Sequence, residues 1–142
     1  MKIIALTDYK NRFGSKHFDI PYRSGMDKLL LKKIFNLNGY EIQFEYFHKV
    51  DIRDLNKYKD ITILYTSSED FGYHYKSYIE DVVFTLETVG ANLIPKYVYL
   101  KANNNKVYME FLRTSILKNY NFYSKHYGSL KDLLIDVNSV VF

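Results

Sequence analysis

The sequence predicts an α/β fold, a three-layer arrangement around a mostly parallel sheet of about four strands. Short apolar runs alternate along the chain with longer amphipathic ones, which is the order expected of strand–helix–strand units. Two of the short runs, residues 2–7 and 61–66, are largely apolar on both faces, as strands buried between helices are. The chain has 142 residues, 47% of them hydrophobic, which gives it about the length of one domain and enough apolar side chains for a core.

A long polar segment follows the first predicted strand. Residues 8–23 join this strand to the first helix, whereas ordinary connections take about 4–6 residues. The segment contains Gly14 and Pro21 among Lys, Arg, His and Asp side chains. Because long ordered loops in compact domains are usually functional, we expect this one to take part in binding.

The first helix is predicted between a Ser24 N-cap and the pair Asn38-Gly39, which favours a left-handed stop. Asp27 follows Ser24 by three residues, and its negative charge near the start of the helix interacts favourably with the positive end of the helix dipole. Apolar residues at near-helical spacing predict the buried face, namely Met26, Leu29, Leu30, Ile34 and Leu37. The face expected in water carries Lys28, Lys32 and Lys33.

The rest of the chain continues the alternation of strands and helices. Residues 41–47 alternate polar and apolar side chains, which predicts a half-exposed strand near a sheet edge. The elements predicted after it are a strand over 61–66, the longest helix over 73–89, a strand over 91–94, and helices at about 106–117 and 130–137. Asn side chains at 103–105 are expected to cap the first of these last two helices, and Ser129 the second.

Composition excludes several classes of function. The chain has no cysteine, which excludes a disulfide scaffold, a thiol nucleophile and a thiolate metal site. Its four histidines are scattered, so no metal site is predicted. The sequence contains no apolar stretch of about 18 residues and no signal peptide, so we expect a soluble cytoplasmic protein with no membrane partner. The net charge of +4 forms no basic block, which disfavours a nucleic-acid partner.

The topology points to two candidate binding segments. In open parallel sheets, ligands bind at the carboxyl ends of the strands, near the point where the strand order reverses. The first candidate is the loop after the first strand, with the substrate-binding residues Asp8, Tyr9, Arg12 and Arg23. Its arginines can pair with carboxylate or phosphate groups, and the alternative is a solvated loop whose charges face water.

The second candidate follows the strand over 61–66. Its substrate-binding residues are Thr66, Ser67, Ser68 and Glu69. Hydroxyls and free N–H groups at the start of a helix can hold an anion, and the alternative is ordinary N-capping. The chain has neither a dinucleotide-binding glycine motif nor a Walker A loop, so no catalytic residue and no cofactor-binding residue is predicted in it.

Motifs in the second half of the chain carry a family resemblance. They are Tyr-Ile-Glu-Asp at 78–81, Gly-Ala-Asn-Leu-Ile-Pro at 90–95, Asn-Asn-Lys at 104–106 and Glu-Phe-Leu at 110–112. In this order they resemble the N-terminal region of ATP-grasp ligases, in detail over about residues 60–142 and only in α/β order over 1–59. Residues 139–142 stand where the family's next strand begins, so the sequence is expected to stop inside a longer protein, before its nucleotide-binding module.

The resemblance implies a division of labour along the chain. Residues 1–117 would be a Rossmann-like pre-ATP-grasp domain that shapes part of the substrate cleft, and residues 118–142 the beginning of the ATP-grasp module. The full-length protein would join a carboxylate to an amine through an acyl phosphate, with ATP and Mg²⁺ bound by later segments. By the same resemblance, the present chain would bind neither of them alone and would be inactive in isolation.

One alternative is a binding function without catalysis. A non-catalytic α/β interaction module would self-associate as a homodimer through a tyrosine-rich surface. The tyrosines expected on that surface are Tyr97, Tyr99, Tyr120, Tyr123 and Tyr127. A nucleic-acid-binding module is the third alternative, and it would show strongly salt-dependent binding.

Overall fold

The computed structural model describes residues 1–14, 26–66, 75–118 and 127–139. It divides into two compact units, Met1–Lys101 and Ala102–Phe142, of which the first contains the whole sheet. The sequence-based boundary between residues 117 and 118, with an ATP-grasp module beginning there, stays a prediction.

The described strands and helices follow the predicted alternation. The strands are β1 (Lys2–Thr7), β2 (Glu41–Tyr46), β3 (Thr62–Tyr65) and β4 (Asn92–Ile94). The α-helices are α1 (Lys28–Leu37), α2 (Tyr75–Thr88), α3 (Tyr97–Asn104), α4 (Lys106–Phe111) and α5 (Leu130–Ser139). Short 3₁₀ turns cover Phe47–Lys49 and Leu55–Tyr58, and a π-helical turn, Leu112–Ile116, continues from α4.

The four strands form one sheet in the order β2-β1-β3-β4, with every neighbouring pair parallel. The predicted fold class, α/β around a parallel sheet of about four strands, is confirmed. The chain runs from β1 to β2 on one side and then crosses to β3 on the other side of β1. The strand order therefore reverses between β1 and β3, and their carboxyl ends flank the position where open α/β sheets bind ligands.

Side chains of β1 alternate between two hydrophobic clusters on opposite faces of the sheet. Ile4 and Leu6 belong to the larger cluster, which also contains buried residues of α2 such as Val83. Ile3 and Ala5 belong to the smaller cluster, against which α1 packs. Because both faces of β1 are covered, its sequence shows no polar alternation, and α1 and α2 form the outer layers on the two faces.

The orientation of α1 differs from the sequence prediction. The expected buried face is exposed: Leu29 is 82% exposed and Leu37 76%, with Met26, Leu30 and Ile34 exposed as well. The helix packs on the sheet through Leu31 and Phe35 instead. Three consecutive leucines at 29–31 fit more than one helical stripe, and the packing on the smaller cluster selects the stripe that contains Leu31 and Phe35.

The start of α1 also differs. Asp27, and not Ser24, is the N-cap, because its side chain accepts hydrogen bonds from the backbone N–H groups of Leu29 and Leu30. Lys28, expected in water, is half-buried, and its Nζ lies 5.6 Å from the centre of the Phe44 ring. Ser24 lies outside the described residues.

The helix α4 in the second unit is capped, as predicted. The Asn105 side chain accepts a hydrogen bond from the Tyr108 N–H at 3.0 Å and caps α4. Helical structure then continues to Ile116, close to the predicted end at 117, but its last turn is π-helical. Ser129 caps α5, because its hydroxyl accepts from the Asp132 N–H at 3.2 Å.

Candidate functional site

The candidate site lies at the carboxyl ends of β1 and β3. These strands are neighbours, and Leu6 of β1 is in register with Tyr65 of β3. Each strand leads into a polar residue, Asp8 after β1 and Thr66 after β3. The site therefore coincides with the reversal of strand order, the position that the sequence analysis selected.

The first turn after β1 is closed on itself around Asp8. The buried Asp8 carboxylate accepts a hydrogen bond from the Arg12 backbone N–H at 2.8 Å, through Oδ1. The Asp8 N–H donates to the Arg12 carbonyl at 3.0 Å, and the Asn11 N–H donates to the Asp8 carbonyl at 2.9 Å. Asn11 has a φ of 61°, a left-handed conformation that Asn tolerates better than most residues. Residues 8–12 thus form a compact, backbone-bonded turn.

Contacts with other elements hold this turn in place. The Gly14 N–H donates to the Thr66 hydroxyl at 2.9 Å, which connects the loop after β1 to the end of β3. Phe13 is buried, its ring meets Phe44 of β2 edge-on, and its carbonyl accepts from the Met26 N–H at 3.0 Å. The loop is therefore attached to β2, to β3 and to the residue that precedes the N-cap of α1.

Cationic side chains surround the turn. Lys28 Nζ donates to Asn11 Oδ1 at 2.5 Å, and Lys10 Nζ lies 5.2 Å from the centre of the Tyr9 ring. Tyr9 itself is 41% exposed. Arg12 is half-buried, and its guanidinium has no ion pair or hydrogen bond with any residue that the structure describes. Lys10 and Arg12 therefore lie in the turn that contains Asp8, and Lys28 is bonded to it.

The structure brings four of the predicted substrate-binding residues to this edge of the sheet. Asp8, Tyr9 and Arg12 lie in the turn after β1, and Thr66 is bonded to the same loop. Arg23, Ser67, Ser68 and Glu69 lie outside the described residues, and their roles stay predictions.

Two contacts at this edge were not predicted from the sequence. They are the hydrogen bonds from Lys28 to Asn11 and from Gly14 to Thr66. One usable signal was present in the sequence, because a glycine inside a polar loop indicates a turn, and the φ of Gly14, 101°, does lie in the region that favours glycine.

A second polar group is buried on the α2 face of the sheet. The Tyr65 side chain is 3% exposed, and its hydroxyl has no hydrogen-bond partner among the described residues. Burial, reinforced by the charge of Glu87 and by Tyr97, raises the pKa of the Tyr65 phenol above its ordinary value. Glu87 Oε1 accepts a hydrogen bond from the Tyr97 N–H at 3.1 Å. Tyr65 therefore stays neutral at physiological pH.

Tyr58 is buried on the same face of the sheet but has a partner. Its hydroxyl donates to Glu45 Oε2 at 3.2 Å. Burial, with the charge of Glu45 and the hydrogen bond to it, raises the pKa of the Tyr58 phenol. The carbonyl of Glu45 also accepts a hydrogen bond from the Thr7 hydroxyl at 3.1 Å, so this polar group joins β2 to the end of β1.

The described residues contain no group of three or more His, Asp or Glu side chains placed to hold a metal ion. In the same part of the chain, no helix is both long and apolar enough to cross a bilayer.

Searches against models of known protein families, curated proteins and solved structures find no match for this chain. The resemblance to ATP-grasp ligases is therefore carried by the sequence motifs alone.

Proposed function

We propose that this chain is the substrate-side N-terminal domain of an ATP-grasp carboxylate–amine ligase-like enzyme. In this role it forms part of the substrate cleft and does not catalyse a reaction by itself. The observation that carries the proposal is the polar turn of residues 8–12 at the reversal of strand order, held to the end of β3 by the Gly14–Thr66 hydrogen bond. A rigid turn at that position is suited to orienting a small molecule.

The proposal assigns binding to this chain and phosphoryl transfer to another part of the protein. Stabilising a transferred phosphoryl group takes a phosphate-binding loop and metal-holding carboxylates. The sequence has no such loop, and the described residues offer no cluster suited to Mg²⁺. In the proposed enzyme, ATP and Mg²⁺ are therefore held by a module that follows this sequence, and Asp8, Tyr9, Arg12 and Thr66 contact the substrate that carries no nucleotide.

The gene sequence beyond the codon for Phe142 tests this proposal first. We expect a strand with a Pro, a Val or Ile pair and a Lys, and then a glycine-rich loop. The protein expressed from the whole reading frame should release ADP from ATP and Mg²⁺ only when an amine and a carboxylate substrate are both present. A stop codon directly after Phe142, or a longer protein that fails to bind ATP, would overturn the ligase assignment.

A self-associating interaction module is the second candidate, and the exposed face of α1 favours it. The exposed fraction lies between 46% and 82% for Leu29, Leu30, Ile34 and Leu37 of α1 and for Met26, which precedes its N-cap. Contiguous apolar surface of this kind often marks an interface. The tyrosine surface expected from sequence has less support, because Tyr97 is half-buried with its ring 5.1 Å from that of Phe84, although Tyr99 is 48% exposed.

Sedimentation of the purified chain tests this second candidate. A dimer that dissociates in the variant Leu30→Glu, and persists in the control Asn36→Glu on the same helix, would support it. A monomer at every concentration would exclude it.

A further inference from the structure

The turn after β1 contains a buried acid with unused hydrogen-bonding capacity. Asp8 is the one buried charged residue among those that the structure describes, at 9% exposure. Its Oδ1 accepts from the Arg12 N–H, while Oδ2 accepts no hydrogen bond from a described residue. Oδ2 is not among the fully buried side-chain oxygens that have no partner, so it keeps access to solvent and can accept a hydrogen bond from a ligand.

The same turn contains a base that does not neutralise this acid. Arg12 contacts Asp8 through its backbone N–H and carbonyl, and the two side chains form no ion pair. Asp51 and Arg53 show the opposite behaviour: there too a backbone N–H donates to the carboxylate, at 3.0 Å, but the guanidinium also pairs with it, at 3.1 Å. The turn at 8–12 therefore keeps one negative and one positive group available on a fixed backbone.

We infer that the site binds a small zwitterion, an amino acid-like molecule with an amine near a carboxylate. The ammonium donates to Asp8 Oδ2, and the ligand carboxylate pairs with the Arg12 guanidinium, whose parallel N–H groups suit a carboxylate. The Gly14–Thr66 hydrogen bond fixes the loop that carries both groups. This inference rests on the proposed function and deepens it, because it assigns the amine-bearing substrate to this chain.

Binding of small probes to the purified chain tests the inference. Glycine and β-alanine carry both charges, whereas ethylamine and propionate each carry one. Amide NMR shifts of residues 8–14 and Thr66 report binding at the site. We expect at least one zwitterion to bind about tenfold more tightly than either single-charge probe, a gain of about 1.4 kcal/mol.

Variants separate the two halves of the recognition. Asp8→Asn keeps an oxygen for the Arg12 N–H but removes the charge, so the advantage of the zwitterion over propionate should disappear. Arg12→Gln removes the positive charge, so the zwitterion should then bind no more tightly than ethylamine. The matched controls are Asp51→Asn and Arg53→Gln, where the acid and base already pair, and both should bind as the unaltered chain does. If Asp8→Asn does not fold, Arg12→Gln and its control still decide the matter.

Three results would overturn the inference. They are shifts with propionate that equal those with zwitterions, zwitterion binding that Arg12→Gln leaves unchanged, and no shift at the site with either zwitterion. The ligase proposal fails separately, by absence of ATP-dependent ADP release from the whole reading frame. Zwitterion binding without that activity would support the inference and overturn the ligase assignment. ADP release that neither Asp8→Asn nor Arg12→Gln changes would support the ligase assignment and overturn the inference.

Discussion

The backbone N–H of Gly14 donates a hydrogen bond to the side-chain hydroxyl of Thr66, over 2.9 Å and across 52 positions of sequence. This bond joins the loop after β1 to the end of β3, the two strands between which the strand order reverses. The bond fixes the candidate site, because only Phe13 separates Gly14 from the turn that contains Asp8 and Arg12.

Removing the Thr66 hydroxyl should loosen this edge of the sheet. In Thr66→Val, the part-buried Gly14 N–H loses its acceptor, and the free energy of unfolding should fall by about 1–3 kcal/mol. Urea denaturation followed by circular dichroism measures the change. Thr66→Ser keeps the hydroxyl and should lose less, so a Thr66→Val variant as stable as the unaltered chain, or a larger loss in Thr66→Ser, would show that the hydrogen bond does not stabilise this edge.

Substitutions along α1 should separate its packed face from its exposed one. Leu31→Ala removes contacts with the smaller cluster and should cost about 1–3 kcal/mol, less than a fully buried leucine would. Leu37→Ala, at a position 76% exposed, should stay within about 0.5 kcal/mol of the unaltered chain. Thermal or urea unfolding of the two variants makes the comparison. A larger cost at Leu37 would mean that this face is covered in solution.

The stability that Asp27 gives as the N-cap of α1 should depend on its hydrogen-bond acceptor and not on its charge. Asp27→Ala leaves the Leu29 and Leu30 N–H groups without a side-chain acceptor and should cost about 1 kcal/mol of unfolding free energy. Asp27→Asn still accepts these bonds and should cost much less. Chemical denaturation of both variants tests this, and an equal loss in both would assign the effect to charge.

Stability should decline at alkaline pH because of the buried tyrosines. The pKa values of Tyr58 and Tyr65 are raised in the folded protein, mainly by burial, above the value of about 10 that they take when unfolded. The neutral phenols therefore stabilise the fold fully below about pH 10, and this contribution is lost as the pH rises above that value. Denaturation midpoints between neutral pH and about pH 11 should fall, and Tyr65→Phe should make the fall shallower.

At neutral pH the same two tyrosines should respond differently to removal of the hydroxyl. Tyr65→Phe deletes a buried hydroxyl that has no partner in the described part of the chain, so stability should be unchanged or higher. Tyr58→Phe deletes the hydrogen bond to Glu45 and should cost about 1 kcal/mol. Urea denaturation decides this, and a marked loss in Tyr65→Phe would indicate that its hydroxyl has a partner in solution.

Local patterns in the sequence determined the fold class. Residues 2–7 and 61–66 contain apolar side chains at both odd and even positions, which predicts strands covered on both faces, and β1 and β3 occupy these positions. The alternation at 41–47 predicted an edge strand, and β2 lies at the edge of the sheet. These patterns can be read from the sequence because burial of one face leaves an alternation of polar and apolar residues, whereas burial of both faces leaves a continuous apolar run. The strand-end rule then selected the edge that carries Asp8, Arg12 and Thr66.

Tertiary structure decided the features that depend on contacts between distant elements. The leucines at 29–31 permit several orientations of α1, and only packing against the sheet selects Leu31 and Phe35. The bond from Gly14 to Thr66 and the separation of the Asp8 and Arg12 side chains leave no periodic signal in the sequence. A hydrophobic period records which face of an element is buried, whereas a hydrogen bond between two loops depends on where the whole sheet places their backbones.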